Sequence, residues 1–147
     1  MKFVCSVMIN RSKAVVSRLM DNPDNLKHWQ DGFISYEDIE GKPGEIGAKA
    51  KMIYDIKGKK LELIETIIDN QMPDYFKASY YAKPTENFLT LKIYEISPNQ
   101  TRVLQEIEYT RMSGIMINIM AAIFPNMFKN QTQKWLNQFK IFAETNS

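Results

Sequence analysis

The chain is organised around residues 113–144, which read SGIMINIMAAIFPNMFKNQTQKWLNQFKIFAE. Large apolar residues recur here at intervals of three or four, with Gln131 at the one remaining turn, and this spacing places them along one face of an α-helix. They are Met120, Phe124, Met127, Trp135, Phe139 and Phe142. At roughly 1.5 Å per residue the stretch predicts an amphipathic helix about 45 Å long. Such a helix needs a broad apolar surface to cover one of its sides.

Two features of this helix lead to specific expectations. Pro125 has no N–H to bond the carbonyl of Ala121, so we expect either a bend near Pro125 or a new helix that begins there. Trp135 and Phe139 lie on the apolar face, and we expect both to be buried against the sheet that covers this helix.

The residues before this helix predict the covering surface, a β-sheet. A first strand at 3–9 is followed by a short helix at 11–20, capped by Asn10, and then by one further helical turn. From Gly32 the apolar period changes from about four to two, which is typical of strands joined by hairpins. We expect these six strands at 33–40, 48–56, 61–68, 75–82, 88–96 and 101–112, with a tight turn at Gly58-Lys59 between the second and the third.

The element order predicts the fold class. Consecutive strands with no helix between them form antiparallel sheets, and helices kept to the ends of the chain indicate an α+β fold. We therefore expect a curved antiparallel seven-stranded sheet, in the order strand, two short helices, six strands and long C-terminal helix, that grips this last helix. The length of 147 residues and the lack of a linker predict one domain, residues 1–147.

Charge and composition narrow the choice of partners. The net charge of +2 argues against nucleic acid, which needs a concentrated basic surface. Between Glu108 and Glu144 there is no acidic residue. We interpret the basic side of the helix as a solvated face, with a face that attracts anions or membranes as the alternative. The apolar segment 115–124 is too short to span a bilayer, so we expect no integral membrane association. Oligomeric state stays open between a monomer and a homodimer.

The single Cys5 excludes an internal disulfide and suggests a reducing compartment, so we expect a cytoplasmic protein. Cys5 lies in an apolar strand and is interpreted as a buried, inert thiol. His28 is the only histidine, and its place on a one-turn helix predicts surface exposure. No metal-ligand spacing and no phosphate-binding motif is present, since the glycines of 41–47 lie between two strands. We expect no metal and no cofactor.

Three stretches together resemble a known superfamily. They are 15–32 (VVSRLMDNPDNLKHWQDG), 40–47 (EGKPGEIG) and 138–144 (QFKIFAE). Their order resembles the helix-grip proteins, which include the major birch pollen allergen, steroidogenic acute regulatory transfer domains and polyketide cyclases. The chain is most similar to small bacterial members of the polyketide cyclase/dehydrase type. The resemblance covers nearly the whole chain and implies an internal cavity for lipids, steroids or polyketides. It implies no shared catalytic residue.

Glu65 is the acidic residue of most interest. It shares the parity of Leu61, Leu63 and Ile67 along its strand, so its side chain can point inward, although solvent at a strand end is the commoner setting. A buried carboxylate needs a hydrogen-bonding partner or a raised pKa.

The chain is also rich in Met and Tyr, with nine methionines and seven tyrosines. Thioethers adapt to irregular apolar space, and tyrosine offers an apolar ring with a polar tip. A simple core would favour Leu, Ile and Val, so this composition favours a cavity between sheet and helix. The candidate pocket residues are Trp29, Met52, Tyr54, Glu65, Tyr80, Leu91, Tyr109, Met120, Phe124 and Met127. Trp29 is expected as a packed lid residue over the sheet edge.

The sequence thus predicts a protein that binds a small hydrophobic or amphipathic molecule, lipid-like, steroid-like or polyketide-like. One alternative is a cyclase- or dehydratase-type enzyme that uses Tyr and Glu65 to move protons; no catalytic residue is assigned. The other is a protein-interaction domain with a vestigial cavity.

Overall fold

The computed structural model describes residues 2–82, 85–112 and 126–146. The elements in chain order are β1 (Lys2–Ile9), α1 (Lys13–Asp21), a 3₁₀ turn (Pro23–Asn25), α2 (Leu26–Trp29), β2 (Phe33–Glu40), β3 (Lys49–Ile56), β4 (Lys59–Gln71), β5 (Tyr75–Ala82), β6 (Thr85–Ser97), β7 (Gln100–Met112) and α3 (Met127–Thr145).

The strands form one seven-stranded sheet in the order β1-β7-β6-β5-β4-β3-β2. All neighbouring strands are antiparallel, and every pair except β1–β7 is consecutive in the chain. The right-handed twist of such a long meander curves the sheet, and α3 packs against it. The α+β fold class predicted from the sequence, a curved antiparallel sheet with a long C-terminal helix, is confirmed.

Two local predictions were wrong by a few residues. The tight turn between β3 and β4 has Lys57 and Gly58 at its centre, because Ile56 pairs with Lys59. Both central residues have positive φ, 53° and 83°, as a type I′ hairpin turn requires. Helix α1 is capped by Ser12, whose hydroxyl accepts a hydrogen bond from the N–H of Val15 at 3.3 Å.

Helix α3 covers the edge strand β1 and hydrogen-bonds to it. Gln133 Nε2 donates to the carbonyl of Ser6 at 2.9 Å, and Lys140 Nζ donates to the carbonyl of Met8 at 2.7 Å. These bonds occupy carbonyls that an edge strand would otherwise leave free to pair with another chain. The predicted helix segment before Asn126, including the bend at Pro125, lies outside the described residues.

The inner side of α3 differs in part from the predicted apolar face. Phe139, Leu136 and Ala143 are fully buried, whereas Met127, at the first turn, is 41% exposed. Phe139 is buried as predicted, whereas Trp135 is only partly buried. The buried core cluster consists of Cys5, Ile9, Val16, Trp29, Leu91, Ile93, Val103, Leu136, Phe139 and Ala143. In the part of the chain that the structure describes, no helix is long and apolar enough to cross a lipid bilayer.

Candidate ligand-binding site

A row of polar side chains crosses the inner face of the sheet. Glu65 on β4 pairs with Tyr80 on β5, Tyr80 pairs with Asn87 on β6, and Asn87 pairs with Tyr109 on β7. Residues that pair directly across antiparallel strands point to the same side of the sheet. At about 4.8 Å between strands, the row extends over about 14 Å. The inner face therefore carries a line of four polar side chains, one on each of four neighbouring strands.

Glu65 is the acidic residue of this row, and it is deeply buried. Its side chain is on the inner face and the residue is only 7% exposed. The Tyr36 hydroxyl donates to Oε1 at 2.8 Å, and the Tyr80 hydroxyl donates to Oε2 at 2.7 Å. Each carboxylate oxygen thus has one protein donor, which reduces the free-energy cost of burying the group.

The charge state of Glu65 reflects this setting. Burial raises its pKa, the hydrogen bonds from Tyr80 and Tyr36 lower it, and the nearby Asp38 raises it again, so that the net pKa lies above its ordinary value of 4.5. Burial, together with the neighbouring Glu65, also raises the pKa of both tyrosines, which therefore remain protonated donors. No lysine or arginine among the described residues forms an ion pair with Glu65.

Two further tyrosines connect the sheet to α3. Tyr54 on β3 stacks on Trp135 with ring centroids 5.6 Å apart, and its hydroxyl donates to Oε1 of Gln30 at 2.7 Å. Burial raises the pKa of Tyr54 and of Tyr109, the latter to about 12. The Tyr109 ring lies 5.1 Å from that of Phe128 at the start of α3. Aromatic side chains of α3 therefore contact both β3 and β7 of the curved sheet.

The inner face has a packed end and a more open end. At the packed end Leu91, Ile93 and Val103 are at most 4% exposed, beneath α1, α2 and α3. Leu89 and Asn87 are the next two inward residues of β6 beyond Leu91. Both are partly exposed, although central strands usually bury their inward residues. The open end is the same end that carries the polar row.

The predicted site residues divide between these two ends. Glu65, Tyr80 and Tyr109 belong to the polar row, and Met52 and Tyr54 are buried on β3 beside it. Trp29 and Leu91 lie in the core cluster of the packed end, with Trp29 edge-on to Phe139 at 5.3 Å. Met127 is 41% exposed at the start of α3. Met120 and Phe124 lie outside the described residues.

The residues set aside on sequence grounds have ordinary surroundings. His28 is exposed and stacks on Phe142 with ring centroids 5.1 Å apart. Cys5 is buried, and burial raises the pKa of its thiol. Within the described ranges, no group of three or more His, Cys, Asp and Glu side chains is arranged to hold a metal ion.

Sequence reasoning missed Tyr36, Gln30 and Asn87. Asn87 lies before the strand start that we predicted at 88, whereas β6 begins at Thr85. Tyr36 was missed because of a β-bulge in β2. Phe33 pairs with Tyr54, whereas Tyr36 pairs with Met52. Two residues of opposite parity on β2 therefore both face inward. Strict alternation would have pointed Tyr36 outward.

The outer face of the sheet carries a groove of about 350 Å³. Its lining includes Lys77, Phe88, Thr90 and Glu106, with the Lys77 ammonium 5.6 Å from the centre of the Phe88 ring and Glu106 paired to Lys92 at 3.5 Å. This charged lining suits solvent better than an apolar ligand.

The sequence matches no protein-family model and no curated protein. Solved structures do resemble it. The Zhui aromatase/cyclase from Streptomyces sp. R1128 has a TM-score of 0.82 at 8% identity, over 98% of this chain and 93% of that one. Ara h 8.0201 has a TM-score of 0.74 at 11% identity, over 99% of each chain. TTHA0849 from Thermus thermophilus has a TM-score of 0.77 at 13% identity, over 100% of this chain and 99% of that one. At these identities the likeness shows the fold alone. This is the helix-grip fold, as the sequence resemblance implied.

Proposed function

From the helix-grip fold and its inner polar row, we propose that the protein binds a small apolar or amphipathic molecule between the sheet and α3. The molecule is of the lipid-like, steroid-like or polyketide-like class, flat or chain-like, with one polar end. The polar end lies at the row that contains Glu65 and Tyr80, and the apolar part lies along the neighbouring inward pairs of Ala78, Leu89 and Ile107. The reducing environment that Cys5 suggests makes the cytoplasm the proposed location.

The observation that carries this proposal is the incomplete burial of inward residues on central strands. Tyr80, Asn87, Leu89 and Tyr109 point to the inner face of β5, β6 and β7, yet each is partly exposed. Protein cores are close-packed, and such positions are normally buried when a core is solid. A site for a ligand with an apolar wall and a few fixed polar groups has this character.

The direct test is the fluorescence of N-phenyl-1-naphthylamine, a neutral probe that brightens in apolar sites. We expect saturable binding to the parent protein, with excitation beyond the tryptophan absorption. Leu89→Trp should fill the open end and weaken probe binding by at least about tenfold. Thr90→Trp is the matched control: it adds the same ring at the next residue of β6, on the outer face that carries the groove.

Three outcomes contradict the proposal. The first is no saturable binding to a folded parent protein, which favours a protein-interaction domain with a vestigial cavity. The second is loss of probe binding in Thr90→Trp with unchanged binding in Leu89→Trp, which would move the site to the outer groove. The third is a loss of about 1–3 kcal/mol in the stability of Leu89→Trp, because the larger side chain would overpack a solid core.

A second candidate function is a cyclase- or dehydratase-type reaction on the same ligand. It is favoured by Glu65, a buried carboxyl group with a raised pKa that receives hydrogen bonds from two tyrosine hydroxyls. Such a group can accept a proton from a substrate and return it. Turnover of a polyketide-like substrate that is lost in Glu65→Gln and kept in Glu62→Gln would support catalysis. Unchanged turnover in Glu65→Gln would exclude this role.

A further inference from the structure

Resting on the proposed function, we propose a specific chemistry for the polar end of the ligand. The end donates a hydrogen bond and carries no negative charge, as a hydroxyl or a protonated amine does, and Glu65 accepts that hydrogen bond. Ligands that end in a carboxylate or phosphate are excluded from this position.

The first argument is the unused acceptor capacity of Glu65. An ionised carboxylate offers about four lone-pair positions. In the described structure its two oxygens receive one hydrogen bond each, from Tyr36 and Tyr80. One acceptor position per oxygen therefore remains, on a side chain that is 7% exposed and lies on the inner face of the sheet. A ligand donor would satisfy it without displacing either tyrosine.

The second argument is the sign of the surrounding charge. The lysines of β3 have partners on the outer face of β4: Lys51 pairs with Glu62 at 3.8 Å, and Lys49 donates a 2.9 Å hydrogen bond to the Thr66 hydroxyl. The charge that acts on Glu65 from β2 is Asp38, which is also negative. An anionic ligand end would meet like charge in a poorly solvated place, which costs free energy.

The third argument is the geometry of the two tyrosines. Both hydroxyls direct their protons to Glu65, so neither proton is free for a ligand acceptor at the same time. These two tyrosines consequently present to a ligand only their hydroxyl oxygens, which accept hydrogen bonds. A cation or a hydroxyl can donate to such acceptors, and a charge-assisted hydrogen bond to a carboxylate is among the strong ones.

The test is a displacement series with ligands that share one alkyl chain and differ in their end. Decanol, decylamine, decanoate and decyltrimethylammonium compete with N-phenyl-1-naphthylamine for the full-length protein at neutral pH and concentrations below micelle formation. We expect decanol and decylamine to displace the probe at concentrations at least about tenfold lower than decanoate. Decyltrimethylammonium, a cation with no donor, should be weaker than decylamine.

Two variants assign the preference to Glu65. Glu65→Gln should bring decylamine and decanoate to within about threefold of each other, because the negative acceptor is gone. Glu62→Gln is the matched control, since Glu62 lies on the outer face of the same strand with a side chain that is 60% exposed, and it should keep the parent preference.

The outcomes separate this inference from the proposed function. Probe binding with decanoate equal to or tighter than decylamine would overturn the inference and leave the binding function in place. An equal loss of preference in both glutamine variants would also overturn it. Absence of probe binding would overturn the binding function itself. The ligand series on the parent protein is decisive even where Glu65→Gln does not fold.

Discussion

The Tyr80 hydroxyl donates a 2.7 Å hydrogen bond to Oε2 of Glu65, its direct partner on the neighbouring strand. Tyr36 reaches Oε1 of the same carboxyl group from β2, so tyrosines from two strands hold one acid on the inner face of the sheet. A buried ionisable group lowers stability compared with an apolar residue unless it is well compensated. We propose that it serves ligand recognition or chemistry at this end of the inner face, and the following predictions test its environment.

Stability should decrease as pH rises through the pKa range of Glu65. Burial raises this pKa above its ordinary value of 4.5, so the folded protein keeps a proton that the unfolded chain has already released. The free energy of unfolding should therefore fall between pH 4.5 and the raised pKa, by about 1.4 kcal/mol per unit of pKa difference. Denaturant unfolding across this range measures it.

The comparison for this prediction is Glu65→Gln, which cannot titrate and should lack that fall. The pKa of Asp31 is lowered mainly by a hydrogen bond from Gln138, and that of Glu144 mainly by one from the N–H of Asn10. Both groups therefore make stability rise with pH in the acidic range, in the parent and in Glu65→Gln alike. Parallel pH profiles of the parent and Glu65→Gln would contradict the prediction.

Tyr80→Phe should raise the pKa of Glu65 further. The substitution removes a hydrogen bond that stabilises the carboxylate and leaves the ring in place. NMR titration of the glutamate side-chain carboxyl carbons gives this value directly. Tyr81→Phe is the control, because Tyr81 is the adjacent residue, points to the other face and is 39% exposed. An unchanged Glu65 titration in Tyr80→Phe would show that the hydrogen bond has little effect on the charge state.

Phe139→Ala should destabilise the protein by about 3–5 kcal/mol, as expected for a large aromatic residue in a core. Phe139 has 0% exposure and contacts Trp29. Ile141→Ala on the same helix should change stability by less than about 0.5 kcal/mol, since Ile141 is 64% exposed. Similar thermal midpoints for the two variants would mean that α3 does not anchor on the sheet through this face.

Ser12→Ala should cost about 1 kcal/mol through loss of the helix cap. The Ser12 hydroxyl accepts from the N–H of Val15, whereas Asn10 contributes its backbone N–H to Glu144. Asn10→Ala keeps that backbone bond and should change stability by less than about 0.5 kcal/mol. The reverse order in denaturant unfolding would favour Asn10 as the cap, as the sequence first indicated.

Much of the architecture could be predicted from the sequence because the apolar period changes from about four to two and back again. The same alternation placed Met52, Tyr54 and Tyr109 on the inner face, since parity alone decides the face of an unbroken strand. It allowed an inward Glu65 but did not decide between the inner face and solvent at a strand end.

The rest of the site depends on features that periodicity does not contain. A β-bulge in β2 turned Tyr36 inward against strict alternation. Three-dimensional packing buried Leu136 and left Met127 exposed, because the side of α3 that faces β1 is set by where the helix lies on the sheet. Hydrogen bonding from Tyr36 and Tyr80 to one acid is likewise a tertiary property.

The central claim is that a small apolar molecule binds on the inner face of the sheet. Intermolecular NOEs between N-phenyl-1-naphthylamine and the methyl groups of the labelled protein test it most directly. We predict NOEs to Leu89 and Ile107, which point inward, and none to Leu104 and Ile64, which point outward from the same sheet. NOEs confined to Leu104, Ile64 or the Thr90 methyl of the outer groove would contradict the claim.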